Sequence, residues 1–176
     1  MGPRNSRSAR LKTIQALAID VDGVLTDGGL WWGPNGEEWK RFSFADIMGV
    51  SLARRAGFVL ALISGENSPL VDRYAEKMLI NHVVKGCRDK AAALRHFASA
   101  AGINLEQVCF MGDDVNDLPA MSISGFCAAP ANAAAVVLKH VHFVAKAPGG
   151  CGAVRELVDA LLAARHLTPQ EVFARD

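Results

Sequence analysis

Short apolar runs alternate along the chain with segments of helical period. Runs at 14–20 (IQALAID), 58–64 (FVLALIS), 82–86 (HVVKG), 107–112 (QVCFMG), 126–130 (FCAAP) and 141–145 (VHFVA) each predict a strand. Between them the pattern predicts helices at 47–56 behind a candidate N-cap, Asp46, at 69–78 opened by Ser68 and Pro69, and at 90–101 between Asp89 and Gly102. Shorter helical segments follow at 116–124 and 132–139. A last helix over 153–166 is apolar at Val154, Leu157, Val158, Leu161 and Leu162, which is helical spacing. Two arms, 29–33 and 37–44, flank the turn signal Gly-Pro-Asn-Gly and predict a β-hairpin. Strands apolar on both faces, alternating with helices, predict a Rossmann-like α/β fold with a parallel sheet sandwiched by helices. One domain is expected over 11–166, with a disordered tail at 1–10 and a C-terminal tail at 167–176.

Composition changes this picture little. Apolar residues make up 51% and charged residues 21% of 176, and the formal net charge is +1. No large field recruits nucleic acid or an anionic membrane, so neither partner is expected. The cysteines, Cys87, Cys109, Cys127 and Cys151, are too scattered for a zinc site and suit a reducing cytoplasm. The basic start of the chain is not followed by the apolar stretch of a secretory signal, and no run approaches membrane-spanning length.

The polar residues at strand ends carry the chemistry. Parallel sheets bind ligands at the carboxyl ends of their strands, where this chain places Asp20 and Asp22, Ser64, and Asp113 with Asp114, while Lys90 opens the helix after the third strand. Clustered carboxylates repel unless a cation neutralises them, and magnesium favours such oxygen donors. A cation beside a lysine and a hydroxyl suits a dianionic phosphoryl group, and a carboxylate can attack phosphorus. Each residue taken alone has a plainer reading as a turn, strand end or helix cap. Their coincidence at one edge of a sheet is hard to explain that way.

The segments Asp20 to Gly28 (DVDGVLTDG), Ser64, Lys90 and Gly112 to Asp117 (GDDVND) resemble, in order and spacing, the four motifs of the haloacid dehalogenase superfamily of phosphohydrolases. The resemblance implies that Asp20 is the nucleophile and a Mg2+ ligand, and that Asp22 is the acid/base, its main-chain carbonyl also binding metal. It further implies that Ser64 and Lys90 bind the phosphoryl group and that Asp113 is a metal ligand. Gly65, Asp114, Asp117 and Arg155 are further candidates for supporting or substrate contacts. Only 41 residues separate Asp22 from Ser64, and 25 separate Ser64 from Lys90, which leaves no room for a cap domain.

The missing cap, the hairpin at about 28–43 and Gly149 to Glu156 (GGCGAVRE) resemble one capless branch of that superfamily. It contains the 3-deoxy-D-manno-octulosonate 8-phosphate phosphatases and the phosphatase-like domains of sialic acid cytidylyltransferases. The branch implies a tetramer assembled through hairpins, a sugar phosphate as substrate and a role in lipopolysaccharide biosynthesis. The hairpin carries all three tryptophans, Trp31, Trp32 and Trp39, which suits an interface, although Trp31 and Trp39 could pack on their own sheet. Ala45, Asp46 and Ile47 stand where the branch has Arg-Asp-Gly, and Cys151 where it often has Arg, so two positive charges are missing. A sialic-type nonulosonate 9-phosphate is therefore a second substrate expectation, and a non-catalytic oligomerisation module a third reading. Lys40, Arg41 and Arg73 are candidate anion contacts, each read more simply as a solvated surface charge.

Overall fold

The computed structural model describes residues 3–174, with side chains from Ser8 onward. Six strands form one parallel sheet: β1 (Ala16–Ile19), β4 (Val59–Ile63), β5 (His82–Val84), β6 (Val108–Met111), β7 (Phe126–Ala129) and β8 (Phe143–Val144), in the order β5-β4-β1-β6-β7-β8. Side chains of β1 alternate between two cores, as a pleated strand requires. Leu17 and Ile19 join the core built with α1 (Pro3–Thr13), α2 (Phe44–Arg55), α3 (Pro69–Met78), α7 (Ala153–Ala164) and α8 (Pro169–Phe173). Ala16 and Ala18 join the core built with α4 (Lys90–Ala101), α5 (Leu118–Ile123) and α6 (Ala135–Leu138). The expected helix–sheet–helix sandwich is therefore present, and among the described residues no cap domain covers it.

From β1 the chain crosses to β4 on one side and returns to β6 on the other. The crevice this reversal opens lies at the carboxyl end of β1. Beside it stands the hairpin of β2 (Trp31–Trp32) and β3 (Glu38–Trp39), with Trp31 opposite Trp39. Phe42 anchors its base by stacking on Tyr74 of α3, with ring centroids 4.7 Å apart.

Both expected tails differ. Residues 3–10 are the larger part of helix α1, while Met1 and Gly2 lie outside the described residues. At the other end, Thr168 caps α8, whose Val172 is fully buried, and Arg55 of α2 donates to the Phe173 carbonyl at 2.9 Å. A single apolar residue in a short capped turn is enough to seat this segment, and no long periodic pattern announces it. Asp46 is also not the cap of α2: Ser43 is, accepting from the Ala45 amide. The buried Asp46 carboxylate instead accepts from the Gly152, Val154 and Arg155 amides at 2.9, 3.0 and 3.2 Å, holding the start of α7 against α2.

Candidate active site

The loop after β1 is shaped by its own residues. The Asp20 amide extends the ladder by donating to the Met111 carbonyl at 2.9 Å. Asp22 is extended (φ −81°, ψ 119°) and Gly23 turns the chain at φ 86°, a left-handed conformation that favours glycine. A Cβ on Gly23 would lie 2.1 Å from Asp113 Oδ2, so glycine here also leaves the space that Asp113 occupies. Buried Thr26 ties the loop together, accepting from the Gly23 and Gly28 amides. Gly149 packs so closely beneath it that a Cβ there would fall 1.8 Å from the Gly23 carbonyl oxygen.

Lys90, the first residue of α4, has its side chain only 1% exposed, with Nζ 2.9 Å from Asp20 Oδ1 and 2.6 Å from Asp117 Oδ1. The other Asp117 oxygen accepts from the Asp113 and Asp114 amides at 2.8 and 3.2 Å. Asp117 is thus used on both sides, to aim Lys90 and to fold the loop carrying Asp113. The Ser64 hydroxyl stands at the end of β4, 3.4 Å from Asp22 Oδ2, and accepts from the Glu66 amide at 3.1 Å. Asp20, Asp22, Gly65, Glu66, Asp113, Asp114 and Asn116 line a cleft of about 200 Å³. Glu66 and Asn116 were not singled out from the sequence. Their signal is position: Glu66 lies two places beyond Ser64, and Asn116 lies inside the Gly112 to Asp117 motif.

Four basic candidates separate clearly. Lys40 is not a solvated charge: its side chain is 2% exposed and its Nζ lies 2.7 Å from Asp22 Oδ1 and 3.7 Å from Glu38 Oε1. Arg155 does not reach the cleft. It bonds Asp159 one turn on at 2.8 Å and lines a separate hollow with Met48, Leu52 and Phe173. Arg41 contacts Asp27, the Gly150 carbonyl and Cys151 Sγ, bracing the loop under the site, and Arg73 is exposed on α3.

The electrostatics suit a hard cation. Carboxylate oxygens of Asp20, Asp113 and Asp117 all lie within 4.8 Å of one another. Burial, then the charge of Asp117, pushes Asp20 up to about 7 despite Lys90. Burial, with Asp117 and Asp114, pushes Asp113 up to about 6. Burial pulls Lys90 downward, but the two carboxylates beside it outweigh that and raise it. Asp20 Oδ1 is buried against the Lys90 ammonium, 2.9 Å away. An all-oxygen set of clustered carboxylates, two of them pushed up by burial and by neighbouring carboxylates, fits magnesium well.

Residues 60–154 match the family described as haloacid dehalogenase-like hydrolase. The chain is 36% identical to the 3-deoxy-D-manno-octulosonate 8-phosphate phosphatase of Escherichia coli K12 over 157 residues, covering 89% of this chain and 84% of that protein. It is similar to the crystal structure of that phosphatase from Moraxella catarrhalis in complex with magnesium, phosphate and KDO (TM-score 0.88, 34% identity, 91% and 92% of the two chains). It is also similar to the cobalt-bound phosphatase from Haemophilus influenzae (TM-score 0.87, 36% identity, 89% and 92%).

Proposed function

The chain belongs to the haloacid dehalogenase-like hydrolases, and from that premise we propose that it is a magnesium-dependent phosphatase of 3-deoxy-D-manno-octulosonate 8-phosphate. The observation that carries this reading is the convergence of Asp20, Asp22, Ser64, Lys90 and Asp113 on one crevice, in a chain related over most of its length to such phosphatases. The relative from Moraxella catarrhalis holds magnesium, phosphate and KDO together, which supports both the cofactor and the sugar-acid class.

Asp20 and Asp113, with the Asp22 carbonyl, would hold the magnesium. When bound, that ion supplies positive charge against the phosphoryl oxygens and keeps the two carboxylates ionised. Lys90 carries a second positive charge to the same oxygens and fixes Asp20. Ser64 donates a hydrogen bond to the phosphoryl group. Asp20 attacks phosphorus and forms an aspartyl-phosphate, while Asp22 gives its proton to the leaving sugar alcohol. Asp22 then takes a proton from the water that attacks the phospho-enzyme, releasing phosphate and restoring Asp20. A cytoplasmic location agrees with the four free thiols, and no described helix is long and apolar enough to cross a membrane.

The missing cap leaves the sugar end of the substrate uncovered. A homotetramer joined through the 28–43 hairpin would supply that cover, and the exposure of Trp31, Trp32 and Trp39 supports such a contact. The mechanism is tested by acid quench during turnover of a 32P-labelled aryl phosphate by the Asp22→Asn variant. A hydroxylamine-sensitive label on Asp20 is expected. Full turnover with no trapped phosphate, in this variant and the wild type, would contradict it.

A further inference from the structure

We infer that Lys40, reaching back from the hairpin, is a positioning residue for Asp22, and that Glu38 and Ser68 hold it in place. The inference rests on the phosphatase reading above, which gives Asp22 its task. Four observations carry it. Lys40 Nζ lies 2.7 Å from Asp22 Oδ1, a charge-assisted contact at the short end of the usual range. Its side chain is buried while that of Asp22 is 30% exposed, so the ammonium end of the pair is shielded from the screening that weakens fully exposed ion pairs. Glu38 Oε1 lies 3.7 Å from the same ammonium. The same Glu38 oxygen accepts from the buried Ser68 hydroxyl at 2.8 Å.

Asp22, Lys40, Glu38 and Ser68 thus form a relay from the acid/base, through strand β3, to the N-cap of α3, where Ser68 also accepts from the Leu70 amide. Asp22 needs such support. It sits in an extended stretch just before the left-handed Gly23, and among the described residues its other oxygen meets only the long contact from Ser64 at 3.4 Å. A carboxylate that must first donate and then accept a proton loses efficiency when it swings, because proton transfer demands hydrogen-bond reach. Lys40 fixes which oxygen faces the hairpin and which faces the cleft. The hairpin is therefore part of the catalytic apparatus of its own protomer.

The chemistry provides a sensitive test. With a good aryl leaving group, formation of the O–P bond to Asp20 and departure of the phenolate need little acid. Hydrolysis of the aspartyl-phosphate still needs Asp22: the water O–P bond forms, the Asp20 O–P bond breaks, and the water proton passes to Asp22. A misplaced Asp22 should slow the second step more than the first. Lys40→Met, which keeps the apolar stem, is expected to lower steady-state kcat on an aryl phosphate with magnesium about 10- to 100-fold. KM should not rise, and a burst of about one phenolate per active site should appear that the wild type lacks. Lys40→Arg should restore turnover in part and shrink the burst.

A purely structural defect would lower burst and steady state together, so a loss without a burst would overturn the inference. Unchanged kcat would do the same, and so would a rise in KM alone, which would make Lys40 a substrate contact. Should Lys40→Met fail to fold, Glu38→Gln carries the test. A smaller burst there supports the relay, and wild-type kinetics overturn it. A wild type without magnesium-dependent turnover would instead defeat the phosphatase reading itself, and this inference with it.

Discussion

Asp20, the proposed nucleophile, is the centre of the site's electrostatics. It is buried beside Asp113 and Asp117, 2.9 Å from the Lys90 ammonium. Asp20→Asn should keep the fold and lower kcat by about 10³-fold or more, since an amide cannot form the acyl-phosphate. Phosphate release paired with thermal melting checks this, and near-normal turnover would contradict it. The raised carboxyls also set a pH dependence. Asp20, near 7 in the folded protein and 3.8 ordinarily, holds a proton through a window in which the unfolded chain has released it. Its contribution is therefore present below about pH 4 and lost as pH rises through 7, with Asp113 acting likewise up to about 6. Magnesium competes with those protons. The rise in Tm that magnesium causes should therefore grow from about pH 5 to 7.5 and level off beyond, reaching several degrees at saturation. Equal increments at every pH, or the same response in Asp113→Ala, would contradict the assignment. Residues at strand ends were legible because their motifs are local. Lys40 was legible only as a cation, since a two-stranded hairpin's alternation does not tell that its side chain folds back over the cleft. Arg155 looked available but lies one turn from Asp159, which takes its charge.

At the scale of elements, the parallel sheet and its flanking helices follow from period and punctuation, and the strands lie close to the apolar runs. What local pattern did not reveal is where a polar side chain goes when its partner lies far along the chain. Ser43 and Asp46 are both capping residue types, spaced so that either could open α2. Only the fold tells that Asp46 reaches amides 106 to 109 residues away. This link joins α2 to α7 and sets the loop whose Gly150 amide donates to the Val24 carbonyl at 2.9 Å. Asp46→Ala should leave three amides at the start of α7 without their acceptor. It should cost about 1–3 kcal/mol in urea unfolding. Because the same loop supports Gly23, magnesium should also stabilise the variant less. A variant of wild-type stability would show that water satisfies those amides equally well.

For the whole molecule, the open question is what faces the sugar. Trp32 is 77% exposed, and Phe44, Trp31 and Trp39 are more than half exposed, all on or next to the hairpin. The cross-strand pairing of Trp31 with Trp39 is present, yet neither ring is covered by it. Replacing Trp31 and Trp32 with Ser should lower the oligomeric state in light scattering. It should also cut activity on the natural sugar phosphate at least about tenfold more than on an aryl phosphate, whose leaving group needs little recognition. A wild-type monomer with full selectivity would defeat that expectation.

The substrate is tested most directly by phosphate release from 3-deoxy-D-manno-octulosonate 8-phosphate, measured beside a nonulosonate 9-phosphate, with magnesium and with EDTA. The expected result is release that EDTA abolishes and magnesium restores, with kcat/KM for the octulosonate ester at least about tenfold the higher. Release that persists unchanged in EDTA, or no release from the octulosonate ester at all, would contradict the assignment.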